Sequence, residues 1–387
     1  MKILYDSQGF DMQRHGGVSR CFVELSKHLP SGINAVFSVV ETNNVYLNNI
    51  GIPISGTLYN RFPLGKDNKV KNVLYKLYYN TVYWNIKNWD SNPQLNVLES
   101  IKQIKKGDYD IFHPTFFSPY FLPYLRKDKP LVLTVHDMIV ELFPNYYPPT
   151  DSQLIWKKIL IPKADHIITV SERTKCDLQK LFNVPENKIS VIYHGSDQTK
   201  YIPSDKGIID GEYLLYVGDR WLYKNFGRFV KAVAPILNKH KELSVVCTGS
   251  PFNYDEIQLL KEQGVYERFI QMFIKSDQEF LDLYHYAVTF VYPSEYEGFG
   301  IPILEAYKAD CPVMLNNASC FPEIAGDAAI YFNMNDEESD FEDKFETLYH
   351  LNSNERENLL RKQRQRLSLY TWEKSAQQLA DVYKKLC

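Results

Sequence analysis

No uninterrupted apolar stretch of the sequence approaches the roughly 20 residues that a helix needs to span a bilayer. The amino terminus, Met1–Phe10, has one lysine and a few apolar residues before Asp6, too short a core for a secretion signal. A cytoplasmic location is expected, at most peripheral on the inner face of the membrane. An excess of charge of one sign is also missing, because 44 basic and 47 acidic side chains leave a net charge of -3. Without a cationic field there is no counterion release to drive binding, so nucleic acid is not an expected partner. The cysteines (Cys21, Cys176, Cys247, Cys311, Cys320 and Cys387) include no C-x-x-C pair, and no histidine stands at zinc-finger spacing. Reduced, mostly buried thiols and no metal site are expected. Low-complexity tracts are absent, and 44% hydrophobic with 24% charged residues fits a folded globular chain.

At 387 residues the chain is too long for one ordinary core. Lys2–Tyr5 is a short apolar run ending at Asp6; Gly16 and Gly17 follow, then Val18, Phe22, Val23, Leu25 and Leu29 at helical spacing. Further runs at Asn34–Val39, Asp110–His113, Leu131–Val135, His166–Val170 and Ile189–Tyr193 predict strands. Helical patterns at Asp151–Lys163 and Glu172–Phe182 alternate with the later ones, as parallel β/α units require. A second series runs through Tyr213–Val217, Leu243–Thr248, Ala287–Tyr292, Pro312–Leu315 and Ala328–Tyr331, with helical patterns at Asn225–Asn238, Asp277–Tyr286 and Pro302–Lys308. The fold class expected is therefore α/β, with two Rossmann-like doubly wound domains. Ser196–Gly211, rich in Asp, Gly, Ser and Pro, reads as the linker. The expected division is 1–203, 204–368, and a C-terminal helix over 369–387 whose apolar face packs back towards the first domain.

Two segments carry no assigned chemistry. Asp336–Glu346 is acidic and Glu355–Arg366 largely basic, as solvated faces are. In Arg61–Trp89, by contrast, Val70, Val73, Leu74, Leu77, Tyr78, Thr81 and Trp84 recur at helical spacing amid five lysines. An amphipathic helix packed on the first domain is expected there, with a surface that meets lipid head groups as the alternative.

The most specific run is Ser294-Glu-Tyr-Glu-Gly-Phe-Gly-Ile-Pro-Ile-Leu-Glu-Ala306, which follows a predicted strand and opens a predicted helix. Glu297 sits on the loop, Gly298-Phe299-Gly300 supplies permissive backbone, and Glu305 lies about one turn into the helix. Amides at such a helix start bind anionic oxygens, and carboxylates there accept sugar hydroxyls. The run closely resembles the E-x7-E signature of the family-four retaining nucleotide-sugar glycosyltransferases, whose fold is GT-B, two Rossmann-like domains facing across a cleft. Glu297 and Glu305 are its two ends, and Cys311-Pro312-Val313 also resembles the family's pattern.

The resemblance extends along nearly the whole chain. Tyr216-Val-Gly-Asp-Arg-Trp-Leu-Tyr-Lys-Asn225 resembles the family's basic diphosphate loop, with Lys224 on its lysine. The arginine usual directly after the glycine is replaced by Asp219, and Arg220 is expected to supply it. Gly16-Gly17 resembles the glycine loop that meets donor phosphates or acceptor, and His136 in Thr134-Val-His-Asp137 the histidine that contacts the transferred sugar. Asp108-Tyr109-Asp110 imitates the D-x-D metal motif of the other major glycosyltransferase fold, but here Asp110 begins a strand instead of ending one, so it is not read as a metal site.

The resemblance implies transfer of a hexose from a nucleoside diphosphate sugar, UDP- or GDP-linked, to a hydroxyl of a saccharide or lipid-linked saccharide, with retention and without a metal or other cofactor. Bacterial cell-surface polysaccharide synthesis is the expected setting. The catalytic group implied is Glu297, His136, Lys224 and Arg220, with donor binding by Glu305, Gly298, Phe299, Gly300, Gly17 and Gly16. Glu305 takes the ribose hydroxyls and Glu297 orients the sugar, while the cations stabilise the leaving diphosphate. A nucleotide-sugar 2-epimerase and a non-catalytic nucleotide-sugar-binding subunit share the fold and stand as alternatives. A dinucleotide oxidoreductase lacks its fingerprint here.

Overall fold

The computed structural model describes residues 1–48, 92–220, 222–334 and 339–387. The Arg61–Trp89 segment and the start of the acidic stretch Asp336–Glu346 lie outside these residues. Among the described residues no helix is long and apolar enough to cross a membrane.

The first half builds a parallel layer from two three-stranded sheets. One orders β2 (Asn34–Phe37), β1 (Lys2–Tyr5) and β3 (Ile111–His113); the other β4 (Val132–Val135), β5 (His166–Thr169) and β6 (Ile189–Val191). A parallel bridge between Phe112 and Leu131 joins them. Helices follow the strands: α1 (Gln8–Asp11), α2 (Gly17–Lys27), α3 (Val45–Asn48), α4 (Asn92–Lys106), α5 (Ile139–Leu142), α6 (Ser152–Leu160) and α7 (Glu172–Phe182). Ser171 caps α7 by accepting from the Thr174 amide, as its place before the helical pattern predicts.

The second half is one six-stranded parallel sheet, ordered β12 (Ile330–Phe332), β11 (Val313–Asn316), β10 (Thr289–Tyr292), β7 (Tyr213–Tyr216), β8 (Ser244–Thr248) and β9 (Phe269–Met272). The order reverses beside β7, the crevice where doubly wound sheets meet ligands. Its helices are α8 (Phe226–Lys239), α9 (Tyr254–Glu262), α10 (Asp277–His285), α11 (Ile301–Lys308), α12 (Phe321–Ala325), α13 (Phe341–Tyr349) and α14 (Ser353–Leu367). On β7, Tyr213 and Leu215 enter one core while Leu214 and Tyr216 enter the other. The strand is thus continuously apolar because both faces are covered.

The last helix, α15 (Trp372–Leu386), leaves the second half and packs on α2 in the core of the first, through Ala376, Leu379, Ala380 and Tyr383. The two chain crossings are stitched together, with the Ser196 amide donating to the Tyr370 carbonyl (2.9 Å) and the Ser375 hydroxyl to the Tyr193 carbonyl (2.6 Å). Asp108 and Asp110 hold the start of β1: Asp108 pairs with the Lys2 ammonium (2.8 Å) and Asp110 accepts from the Lys2 amide (2.7 Å). All six cysteines are free, four of them buried, with Cys176 and Cys387 exposed.

Candidate active site

The loop after β10 is fixed from several sides before it presents any side chain. Asn225 donates to the Pro293 carbonyl (3.0 Å) and Asn316 to the Ser294 carbonyl (3.0 Å). The Ser319 hydroxyl and the Cys320 thiol both donate to the Glu297 carbonyl, at 2.8 and 3.2 Å, and the Glu297 amide donates back to Ser319 (3.1 Å). Gly300 then takes φ +93° as the residue before α11, a left-handed conformation that side chains resist, and Pro302 occupies the first helical turn. Glu297 is thereby held at the mouth and Glu305 on the first turns of the helix.

Lys224, at the end of a short turn Leu222–Lys224, reaches Glu297 Oε1 at 2.5 Å and lies near the rings of Tyr223 and Tyr292. The expected pairing of Lys224 with Arg220 takes another form. The Arg220 side chain is buried, with its Nε on Glu256 (2.8 Å), its other hydrogen bonds to the carbonyls of Ser250 and Pro251, and its guanidinium over Phe226 and Phe252. This ties Arg220 to the loop after β8, where it holds the Gly249–Tyr254 segment in place, and leaves Lys224 as the cation on Glu297. Phe299 also departs from a donor-facing role for its ring. Only 3% exposed, it is wedged against His194 (centroids 4.9 Å), Tyr193 and Tyr370.

The two halves touch at this place. A Cβ on Gly298 would stand 1.8 Å from the His136 carbonyl oxygen, so the loop backbone lies directly on the turn after β4. Gly17 faces Ile301 of α11, and Gly16 lies against the Gln13 side chain. Arg20 of α2 crosses to Glu305 (3.0 Å), which also accepts from Tyr284 (3.4 Å). Glu323 accepts from the amides of Glu172 and Arg173 at the start of α7, and the Tyr296 hydroxyl donates to Asp177 (2.9 Å). Burial raises the Glu305 carboxyl above the usual range, and the Arg20 charge opposes that rise. Arg20 and Glu323 escape a reading of motifs because only the meeting of the halves gives them partners.

His136 is half-buried, and its Nε2, itself shielded from solvent, has no hydrogen-bond partner. Burial, reinforced by the buried Lys157 ammonium and opposed by Asp137, pushes it down to about 4, so the ring is neutral at pH 7. His194 stacks 6.2 Å from it and His113 bonds Tyr383 (2.6 Å) and Thr134 (2.8 Å); burial pushes both down to about 3. His113 thus serves the packing of α15. Among the described residues no group of three His, Cys, Asp or Glu side chains is placed to hold a metal ion.

Residues 15–200 match the sequence model of Glycosyltransferase Family 4, and residues 200–366 that of Glycosyl transferases group 1. The chain is 31% identical over 222 residues to the O-antigen chain mannosyltransferase RfbU of Salmonella typhimurium, covering 56% of this chain and 60% of that protein. It is 30% identical over 244 residues to O-antigen chain mannosyltransferase B of Escherichia coli, 59% of this chain and 62% of that one. These matches thus span about three fifths of the relatives' length. Among solved structures, Anabaena HepE in complex with UDP and glucose superposes with a TM-score of 0.70 at 16% identity over the whole of both chains. WaaG, a glycosyltransferase involved in lipopolysaccharide biosynthesis, gives 0.65 at 15% identity over 99% of each. At such identities the likeness is one of fold, two facing Rossmann-like domains.

Proposed function

Because the chain belongs to the family-4, group 1 glycosyltransferases of GT-B fold, we propose that it moves a hexose, mannose by preference, from a nucleoside diphosphate sugar to a hydroxyl of a saccharide or lipid-linked saccharide. The second half takes the donor and the first half the acceptor, in the building of a bacterial surface polysaccharide. The observation that carries this reading is that the loop bearing the Lys224–Glu297 pair lies, at Gly298, against the turn that bears His136 with its unpartnered Nε2. Two mannosyltransferases among the relatives support the sugar.

On this reading the donor's diphosphate takes Lys224 from Glu297, and the freed carboxylate accepts hydroxyls of the sugar. Lys224 then stabilises the charge that grows on the leaving phosphate, and so does the work for which Arg220 is not free. His136, neutral at pH 7, offers Nε2 to the transferred sugar. The ribose hydroxyls donate to Glu305. The acceptor hydroxyl attacks from the face the diphosphate leaves, giving up its proton to a donor phosphate oxygen, with retention and without a metal ion. Contact between Gly298 and the His136 turn excludes water, which suppresses hydrolysis.

Glu305→Ala should weaken nucleotide binding in calorimetry by at least about tenfold, since hydrogen bonds to a charged group contribute roughly 1.5–3 kcal/mol each. Glu305→Gln, which keeps the shape, should fall between the two. Unchanged affinity in both variants removes Glu305 from the ribose site.

A further inference from the structure

The carboxylate of Glu305 is shared between the two halves of the molecule. Its Oε1 accepts from Nη1 of Arg20, on the first turn of α2, at 3.0 Å. Among the described residues its Oε2 accepts from Tyr284 alone, at 3.4 Å, a long and weak bond. The two helices meet start to start: a Cβ on Gly17, the first residue of α2, would stand 3.3 Å from the side chain of Ile301, the first residue of α11. Arg20 and Glu305 follow about one turn later on each. Neither is sealed off, with 31% of the Arg20 side chain and 17% of the Glu305 side chain exposed, so a ligand can reach the pair.

The charges around the pair decide what it can do. Burial raises the Glu305 carboxyl above its usual range and Asp277, at the start of α10, adds to the rise; Arg20 and the Tyr284 hydroxyl oppose it. Arg20 also lies within electrostatic reach of Glu24 on its own helix, Tyr46 on α3 and His194. Arg20 is thus the cation that favours the ionised form of Glu305, and an ionised carboxylate accepts hydrogen bonds on both oxygens. The contact through Oε1 leaves the lone pairs of Oε2 to a ligand. A phosphate there would meet the charge of Glu305, and an apolar group would leave the oxygen without a donor. Two adjacent hydroxyls satisfy it, and they need not displace Arg20 to do so.

We propose that Arg20 is a positioning residue for the donor: it holds Glu305 by Oε1 and so presents Oε2 to the ribose hydroxyls of the nucleotide. Because Arg20 belongs to the first half and Glu305 to the second, tight nucleotide binding then requires both halves together. The proposal rests on the reading of Glu305 as the ribose carboxylate.

Calorimetry of the full chain with UDP and with GDP tests it, on Arg20→Met, Arg20→Lys, Glu305→Gln and the double variant Arg20→Met/Glu305→Gln. For the nucleotide that the wild type binds, Kd should rise roughly tenfold in Arg20→Met, a loss of about 1.4 kcal/mol. Arg20→Lys, which keeps the charge, should recover part of it. In the Glu305→Gln background Arg20→Met should change Kd by less than about twofold, because the two side chains act through one contact. Without its cation Glu305 takes up a proton at higher pH, so affinity should fall more steeply in Arg20→Met than in the wild type as the pH drops from about 8 to about 5.5. Unchanged or tighter nucleotide binding in Arg20→Met overturns the proposal, as does a tenfold loss that persists in the Glu305→Gln background. A wild type that binds neither nucleotide, or a Glu305→Gln variant that binds as the wild type does, instead overturns the ribose reading on which the proposal rests.

Discussion

Gly298→Ala is expected to lower turnover by about a hundredfold or more while leaving nucleotide affinity near the wild-type value. The new Cβ would meet the His136 carbonyl oxygen at 1.8 Å and its carbon at 2.9 Å. Both are backbone atoms, so no side-chain rotation relieves the clash, and the Lys157 ammonium fixes the next carbonyl in the same turn. The halves must part by an ångström or more, and a misplacement of that size costs on the order of 10² in rate. Gly298 is not among the glycines with positive φ, so alanine meets no conformational penalty of its own and the second half should keep its fold. Turnover measured beside nucleotide calorimetry reads the two effects apart. Wild-type turnover would mean that the two halves do not meet at this loop during the reaction.

Lys224→Ala should reduce turnover by roughly 10²–10³-fold, the loss seen when one pre-aimed donor to a developing oxyanion is removed. The structure sharpens this expectation because Arg220 cannot take over: its guanidinium is buried among Glu256, Ser250, Pro251 and two phenylalanine rings. The variant also leaves Glu297 without its cation, so donor affinity should fall as well, but by less than the rate. Lys224→Arg, which keeps the charge, should recover part of the turnover. A steady-state assay of nucleoside diphosphate release separates kcat from KM. Full activity of the alanine variant would make the Lys224–Glu297 pair a structural contact only.

Most of the fold could be read in the sequence because its strands are buried on both faces. Tyr213-Leu-Leu-Tyr216 and Val313-Met-Leu-Asn316 are apolar or fully covered at every position, so they stand out as runs. β9 does not stand out in the sequence because it is an edge strand and only half buried, which leaves Phe269-Ile-Gln-Met272 without either a continuous run or a clean alternation. α4, over Asn92–Lys106, ends in Lys105-Lys106 and reads as polar until Ile104 is seen to be fully buried.

The site was legible where its residues are contiguous. Glu297 and Glu305 lie on one loop and helix, and the strand, glycine and proline signals around them define that geometry locally. Lys224 and Arg220 differ by a single turn, and sequence spacing does not reveal which cation faces Glu297; the aromatic pair Phe226 and Phe252 draws Arg220 away. Arg20, Ser319, Cys320 and Lys157 were out of reach for a different reason. Each acts through a partner far away in the chain, such as Glu305 for Arg20 or Glu297 for Ser319, and only tertiary packing brings those together.

The most direct test of the account is a thermal-shift series of the purified protein with UDP, GDP, ADP, dTDP, CMP and their common sugar conjugates, in the presence of EDTA. A nucleoside diphosphate bound to the folded protein at 100 times its Kd should add about 2.7 kcal/mol of stability, visible as a clear rise in Tm. That rise is expected for one nucleotide and its sugar conjugate, and is expected to persist with divalent ions removed. Stability unchanged by every nucleotide would contradict a donor site at Lys224, Glu297 and Glu305.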